Sequence, residues 1–336
     1  MDWLRLSRRE LFGAAGGLVA SSILARPRPA LGGILDRLFH GQSGKPRAPI
    51  TPNDEFYVTS YRSPPTVRIE DWSLSVTGLV ERPVALNYNQ LLARPAITEI
   101  VTLECIGNTV AGEFIGTAAW KGISLKTLLE DCGADPRSVD VVFRAMDDYS
   151  DSIRFTRAMV GDVLVAHTMN GMPLPLGHGF PARMIVPGLY GMKSVQWLRE
   201  IEVVDRDYQG YYQKKGWTDD ATVKTASWID VPVHGVTLRG GQHPVYGAAY
   251  AGIRGIQRAE LSFDEGQTWQ STMLEPPLAR AAWVFWRYDW EVRARGYHSM
   301  LVRATDGEGC VQSSEEQGPS PDGTTGLHHI AVKVEV

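Results

Sequence analysis

The stretch from His178 to Leu198, HGFPARMIVPGLYGMKSVQWL, decides the reading of this chain. It sets a histidine, an arginine and a lysine around two apolar runs and a Pro187-Gly188 turn. Met184 to Val186 reads as a buried strand, and the glycine-rich flanks read as loops able to aim backbone N–H groups at an anion. Upstream, Leu103-Glu-Cys-Ile-Gly-Asn108 leaves one thiol, Cys105, at the end of an apolar strand. Gly107-Asn108 then offers a turn at positive φ that would leave the sulfur facing a cavity. A lone buried cysteine is by default inert filling, so neither segment decides the chemistry alone.

Outward from these two segments, short strands and short helices alternate from about Thr51. Trp72, Leu74 and Val76 alternate as in a half-buried strand ended by Gly78 and Pro83. Leu125, Leu128 and Leu129 predict a helix, with Ser124 to cap it and Gly133 to end it. Val139 to Met146 and Val163 to Met169 read as buried strands. The mixture predicts an α+β domain over residues 51–208, and no glycine-rich phosphate loop follows any strand. Beyond about Asp205 helical periodicity fades. Strands are expected at Val231–Leu238, Val245–Tyr250, Arg258–Phe263, Ala282–Trp290, Met300–Ala304 and His329–Val334, with a tight turn at Asp264–Trp269. That spacing predicts an immunoglobulin-like β-sandwich over residues 209–336.

Length and composition narrow the function. With 336 residues, 43% hydrophobic and a net charge of −4, the chain suits two domains and lacks the concentrated basic face that nucleic acid needs. Cys105, Cys132 and Cys310 are too few and scattered for an iron–sulfur cluster or structural zinc, although Cys132 and Cys310 could pair in an oxidising compartment. There is no C-x-x-C-H for covalent haem, so electrons would pass to or from a separate protein, a cytochrome or a quinone-linked partner. Ser7-Arg8-Arg9-Glu10-Leu11-Phe12 precedes a glycine-loosened apolar stretch too short to span a membrane. Residues 1–30 therefore read as a twin-arginine signal, retained as an anchor or removed, and residues 31–50 as a linker. The expected location is periplasmic or otherwise extracytoplasmic.

Taken together, the Cys105 turn and the 178–198 block resemble the molybdopterin core of the sulfite oxidase family, and the resemblance extends from about Pro49 to Val336. It implies that Cys105 ligates molybdenum as a soft thiolate. It also implies that Tyr57, Val58, Asp147, His178, Arg183, Lys193, Ser194, Val195 and Gln196 hold the pterin, Arg183 gripping its phosphate and Lys193 adding a point charge. The C-terminal sandwich would make a homodimer. The implied activity is two-electron oxygen-atom transfer on a small oxyanion or S-oxide. Sulfoxide reduction, or a non-catalytic exported binding protein, are the alternatives. Sulfite-oxidising members carry anion-binding arginines where this chain has Thr59 and Thr109-Val110, and a tyrosine whose position falls near Trp217. Lys214, Lys215 and His167 are the candidate replacements, and sulfite is expected to be a poor substrate.

Overall fold

The computed structural model describes residues 44–335. The proposed signal lies outside them. In chain order the first region contains β1 (Ser73–Gly78), β2 (Val84–Asn87), α1 (Tyr88–Leu92), β3 (Ile97–Glu104), β4 (Ile115–Ser124) and α2 (Leu125–Cys132). It continues with β5 (Asp140–Ala145), β6 (Ser150–Arg154), α3 (Phe155–Ala158), β7 (Leu164–Met169), β8 (Met172–Pro173), β9 (Arg183–Ile185) and β10 (Leu198–Val204). One sheet has the order β2-β1-β10-β5-β6, and a second runs β3-β4-β7-β8 with β9 paired to β7. Leu74, Val141 and Ile201 of the first sheet share a core with Leu125 and Leu128 of α2 and with Val165 and Met184 of the second. The opposite face of the second sheet is also covered, with Trp120, Val101 and Ile185 packed against Phe56.

The expected balance of helix and strand needs correction. The helices span only five, eight and four residues, and strands build most of this region. The Leu125-Leu128-Leu129 stripe does form a helix, ended by Gly133 in the left-handed region at φ 67°. Ser124 caps nothing, because its hydroxyl donates to the Gly161 carbonyl instead.

The second region contains β11 (Ala226–Val231), β12 (Thr237–Arg239), β13 (Gly241–Tyr250), β14 (Ile256–Ser262), β15 (Gln270–Ser271), β16 (Met273–Leu274), β17 (Val284–Val292), β18 (Gly296–Asp306) and β19 (His328–Glu335). Sheets β11-β13-β17-β16 and β12-β19-β18-β14-β15 close on one core, where Val245 and Trp286 meet Val302, Ile330 and Val332. This is a two-sheet sandwich. The single strand expected at 231–238 is instead the end of β11, a turn and β12, because Pro232 has no N–H to pair and Gly235 at φ 80° breaks the extended run. Asp264 builds the expected tight turn by accepting from the Thr268 N–H at 2.8 Å.

The sandwich is fastened to the strand that carries the thiol. Tyr250 donates its hydroxyl to the Thr102 carbonyl at 2.8 Å, and the Trp283 N–H donates to the Thr102 hydroxyl at 2.9 Å. Trp228 Nε1 reaches the Gly112 carbonyl at 3.2 Å. The described end of the linker is anchored too, with Arg47 paired to Asp230 at 2.9 Å and its guanidinium over Trp228.

Candidate active site

Cys105 follows β3, whose last four residues are buried. Its N–H donates to the Phe114 carbonyl, and its own carbonyl accepts from Asn108 N–H, both at 2.9 Å. The Asn108 side chain ties this turn together, donating to Glu104 Oε1 at 3.0 Å and accepting from Phe114 N–H at 3.1 Å. A Cβ on Gly112 would stand 2.2 Å from Asn108 Oδ1, so the close return of the chain needs glycine there. The positive-φ residue of the loop is Ala111 (φ 60°), not Gly107 or Asn108 as the sequence led us to expect. The side-chain bonds of Asn108 supply the turn that backbone reversal was expected to supply.

The sulfur borders a cavity of about 120 Å³ whose wall includes Tyr57, Thr59, Tyr61, Asp147, Arg183 and Tyr212. Burial pushes the Cys105 thiol up, while the Gly107 N–H and the Thr59 hydroxyl favour the thiolate. Arg183, on β9, is 5% exposed. Its guanidinium donates to the His178 and Ser194 carbonyls, each at 3.1 Å, and stacks over Trp120 at 5.1 Å. Neither carbonyl neutralises its charge, and its buried Nε has no partner. Burial alone brings its pKa down to about 10.

His178 is fixed by Nε2 bonding to the Asn53 carbonyl at 2.8 Å. A carbonyl only accepts, so Nε2 carries the proton and the buried, unpartnered Nδ1 is a bare acceptor. Burial keeps the ring neutral by lowering its pKa. Asp147 accepts Tyr149 N–H at 3.1 Å, and burial raises its carboxyl above the usual range. Ser194 and Val195 are buried on the cavity wall, and Gln196 beside them reaches the Gly177 carbonyl at a long 3.4 Å. The Tyr57 hydroxyl lies over Gly191, where a Cβ would come within 3.0 Å of it.

His178 itself lies behind the cavity wall rather than on it, and further candidates fall elsewhere. Lys193 is 1% exposed and ion-paired to Asp151 and Asp219, each at 2.8 Å, so it does not offer a point charge to this cavity. A buried ammonium needs carboxylates, and the fully buried Asp151 needs a cation. The Val58 side chain is 53% exposed, near Gly177 and off the cavity wall. Lys214 and Lys215 lie over the rings of Tyr208 and Tyr211, and His167 is buried on β7 beside Thr168. Trp217 packs behind Tyr212, and Tyr212 is the residue on the wall. The paired Tyr211-Tyr212 was the available signal for that aromatic. Thr59, which stands where sulfite-oxidising members carry an arginine, brings a hydroxyl beside the sulfur instead. Cys132 is buried in the core and Cys310 exposed, both with free thiols, so the two are not paired.

Residues 61–212 match the oxidoreductase molybdopterin binding domain, and residues 217–318 match the Mo-co oxidoreductase dimerisation domain. Sulfite oxidase of Gallus gallus is 31% identical over 78% of this chain and 68% of its own length. The chain belongs to the sulfite oxidase family of molybdopterin oxidoreductases. Mitochondrial sulfite oxidase of Rattus norvegicus is 32% identical over 73% of this chain and 53% of its own. An inducible NADH nitrate reductase of Glycine max is 31% identical over 76% of this chain, which spans only 36% of that protein's length. The sulfane dehydrogenase SoxCD of Paracoccus pantotrophus shares the fold, with a TM-score of 0.74 at 20% identity, covering 95% of this chain and 96% of that one. Members of this family are enzymes that use the molybdenum cofactor.

The Asn108 knot is testable. Asn108→Ala strips a partner from the Glu104 carboxyl and from the Phe114 N–H. Unfolding free energy should fall by roughly 2–4 kcal/mol, read from denaturant midpoints. An unchanged midpoint would show that the turn does not depend on it.

Proposed function

We propose that the chain is an exported molybdenum oxidoreductase that moves an oxygen atom to or from a small oxyanion or S-oxide in a two-electron step. The observation that carries this reading is the cavity itself. One thiol borders the same small space as a buried guanidinium that has no carboxylate and an N–H left over. A pterin phosphate would supply the missing anion, and a soft metal would take the sulfur. Cys105 would be the metal ligand. Arg183, the His178 Nδ1, Asp147, Tyr57, the Val58 segment and the Ser194-Val195-Gln196 turn would hold the pterin. The cofactor, when bound, supplies oxygen-atom exchange and storage of two electrons.

The chain's own residues set the conditions for that chemistry. Thr59 and Gly107 favour the thiolate that a metal requires. Tyr61 and Tyr212 line the cavity and would help to exclude water from it, and Tyr211 packs behind Tyr61 with ring centroids 4.2 Å apart. The C-terminal sandwich, immunoglobulin-like in this reading, would join two copies into a homodimer, consistent with its match to a dimerisation domain. Electrons would pass to or from a separate haem protein or quinone-linked partner. The paired Arg8-Arg9 supports export to the periplasm after the cofactor is loaded.

Cys105→Ser tests the ligand assignment. A serine oxygen is a harder and weaker electron donor, so the variant should fold and keep its pterin but lose oxygen transfer. Undiminished turnover, assayed beside pterin and molybdenum analysis, would sink it. Substrate charge gives a second test. Among the described residues the cavity wall carries one lining cation, Arg183, which the phosphate would occupy, and Thr59 brings no charge. Each missing charged hydrogen bond is worth roughly 1.5–3 kcal/mol. Loss of two arginines should then lower kcat/KM for sulfite by about two to four decades relative to members that keep them. Fast turnover with a low-micromolar KM for sulfite would show that the anion site lies elsewhere.

A further inference from the structure

Lys193 and Asp151 form the most deeply buried ion pair among the described residues, and the reading above leaves them unused. Their surroundings connect two spaces. On one side, Tyr149 lines the cavity of Cys105. Its hydroxyl stands 3.0 Å from Asp151 Oδ2 and 3.0 Å from the Met192 carbonyl. Lys193 Nζ is 2.8 Å from Asp151 Oδ1, 3.0 Å from the Ser152 carbonyl and 2.8 Å from Asp219 Oδ1. On the other side, Lys193 and the 30% exposed Asp219 line a separate cleft of about 670 Å³, together with Arg154, Arg254 and Thr222. A series of contacts no longer than 3.0 Å thus runs from the hydroxyl of Tyr149, a residue of the cavity wall, to Asp219 in the cleft.

The charge on this series is unbalanced in a useful direction. Two carboxylates flank one ammonium, and Arg154 stands off at 4.0 Å from the other oxygen of Asp219. The set therefore has room for one more proton. Burial raises the Asp151 carboxyl above its ordinary value against the pull of Lys193, and so makes it a better acceptor. Burial also works against the Lys193 ammonium, and the two carboxylates outweigh it. A purely structural strut gains little from buried ions, since desolvation cancels most of their attraction.

We infer that Tyr149, Asp151, Lys193 and Asp219 form a proton relay between the Cys105 cavity and solvent in the second cleft. The inference rests on the proposed reaction only in requiring redox chemistry coupled to protons at that cavity. In the oxidising direction water supplies the oxygen, two protons are released and two electrons go one each to two equivalents of a one-electron acceptor, ferricyanide in the assay. Each proton joins the Tyr149 oxygen as that hydroxyl passes its own proton to Asp151 Oδ2. The Asp151 carboxyl turns about Cβ–Cγ, Lys193 yields a proton to Asp219 and regains one from Asp151, and Asp219 releases it to water. Bonds to hydrogen form and break in equal number at each residue, and the reducing direction runs the same series inward.

The test needs no substrate. Holoprotein is reduced with dithionite, desalted and mixed with ferricyanide in weakly buffered solution, while a pH-indicator dye follows proton release by stopped flow. Asp219→Asn keeps the shape and removes the terminal acceptor. Lys193→Arg keeps the charge on a group that does not give up its proton. Both variants should load molybdenum and pterin as the wild type does, yet release protons roughly ten- to a hundredfold more slowly, with a larger effect of deuterated solvent. Tyr149→Phe, which changes no charge, should slow release likewise and covers the case in which a charge variant fails to fold. Wild-type release rates in loaded variants would reduce the series to a structural ion pair. A wild type that transfers no oxygen atom but releases protons through Asp219 would overturn the proposed reaction and leave the relay standing.

Discussion

A guanidinium buried without a carboxylate is the constraint around which this molecule is arranged. Arg183 is held by two backbone carbonyls and an indole face, all of which orient it and none of which cancels its charge. A buried charge left in that state is expensive unless something anionic completes it. The His178 turn, β9 and the 191–197 turn all meet at this one side chain. Gly179, at φ 103°, lets the turn pass close to both segments, since a Cβ there would press on the Cβ atoms of Arg183 and Gln196 at 3.0–3.1 Å. Removing the charge would relieve the desolvation and cost two hydrogen bonds, while the backbone bonds from Met184 to Val195 and from Leu198 to Ala182 still join the segments.

The second element of the site, Cys105, depends on the other half of the chain. Its strand is clamped by Tyr250 and Trp283, and its loop by Trp228 and by Thr324, whose hydroxyl donates to the Asn108 carbonyl. The sandwich, which matches a dimerisation domain, thus also buttresses the thiol. Glu104, buried beside the thiol, has its pKa raised to about 7 by desolvation, with only Asn108 and the distant Arg47 opposing the shift.

How much of this was legible in the sequence varied with the kind of interaction. The strands of Leu74, Phe143 and Val165, and the sandwich strands after Asp205, followed from alternation and run length, because burial on one or two faces writes itself into neighbouring residues. Cys105 and Arg183 stood out because each lies in a recognisable turn or block, and both border one cavity, with His178 behind its wall. The fate of Lys193 was not, since its partner Asp151 is forty-two residues away and no local pattern announces a buried ion pair. Tyr212 was missed in favour of Trp217 for a related reason: a short helical turn at 213–215 decides which aromatic faces the cavity, and loop geometry leaves little periodic trace. The same holds for Asn108, whose side chain replaces the glycine turn expected beside Cys105.

The most direct measurement is the molybdenum and pterin-phosphate content of purified wild-type and Arg183→Met protein, with circular dichroism confirming that both are folded. If Arg183 is the anion anchor, the wild type carries about one molybdenum and one pterin phosphate per chain, while the folded Arg183→Met chain carries almost none. A variant that retains the full wild-type complement of pterin would contradict that role for the buried guanidinium.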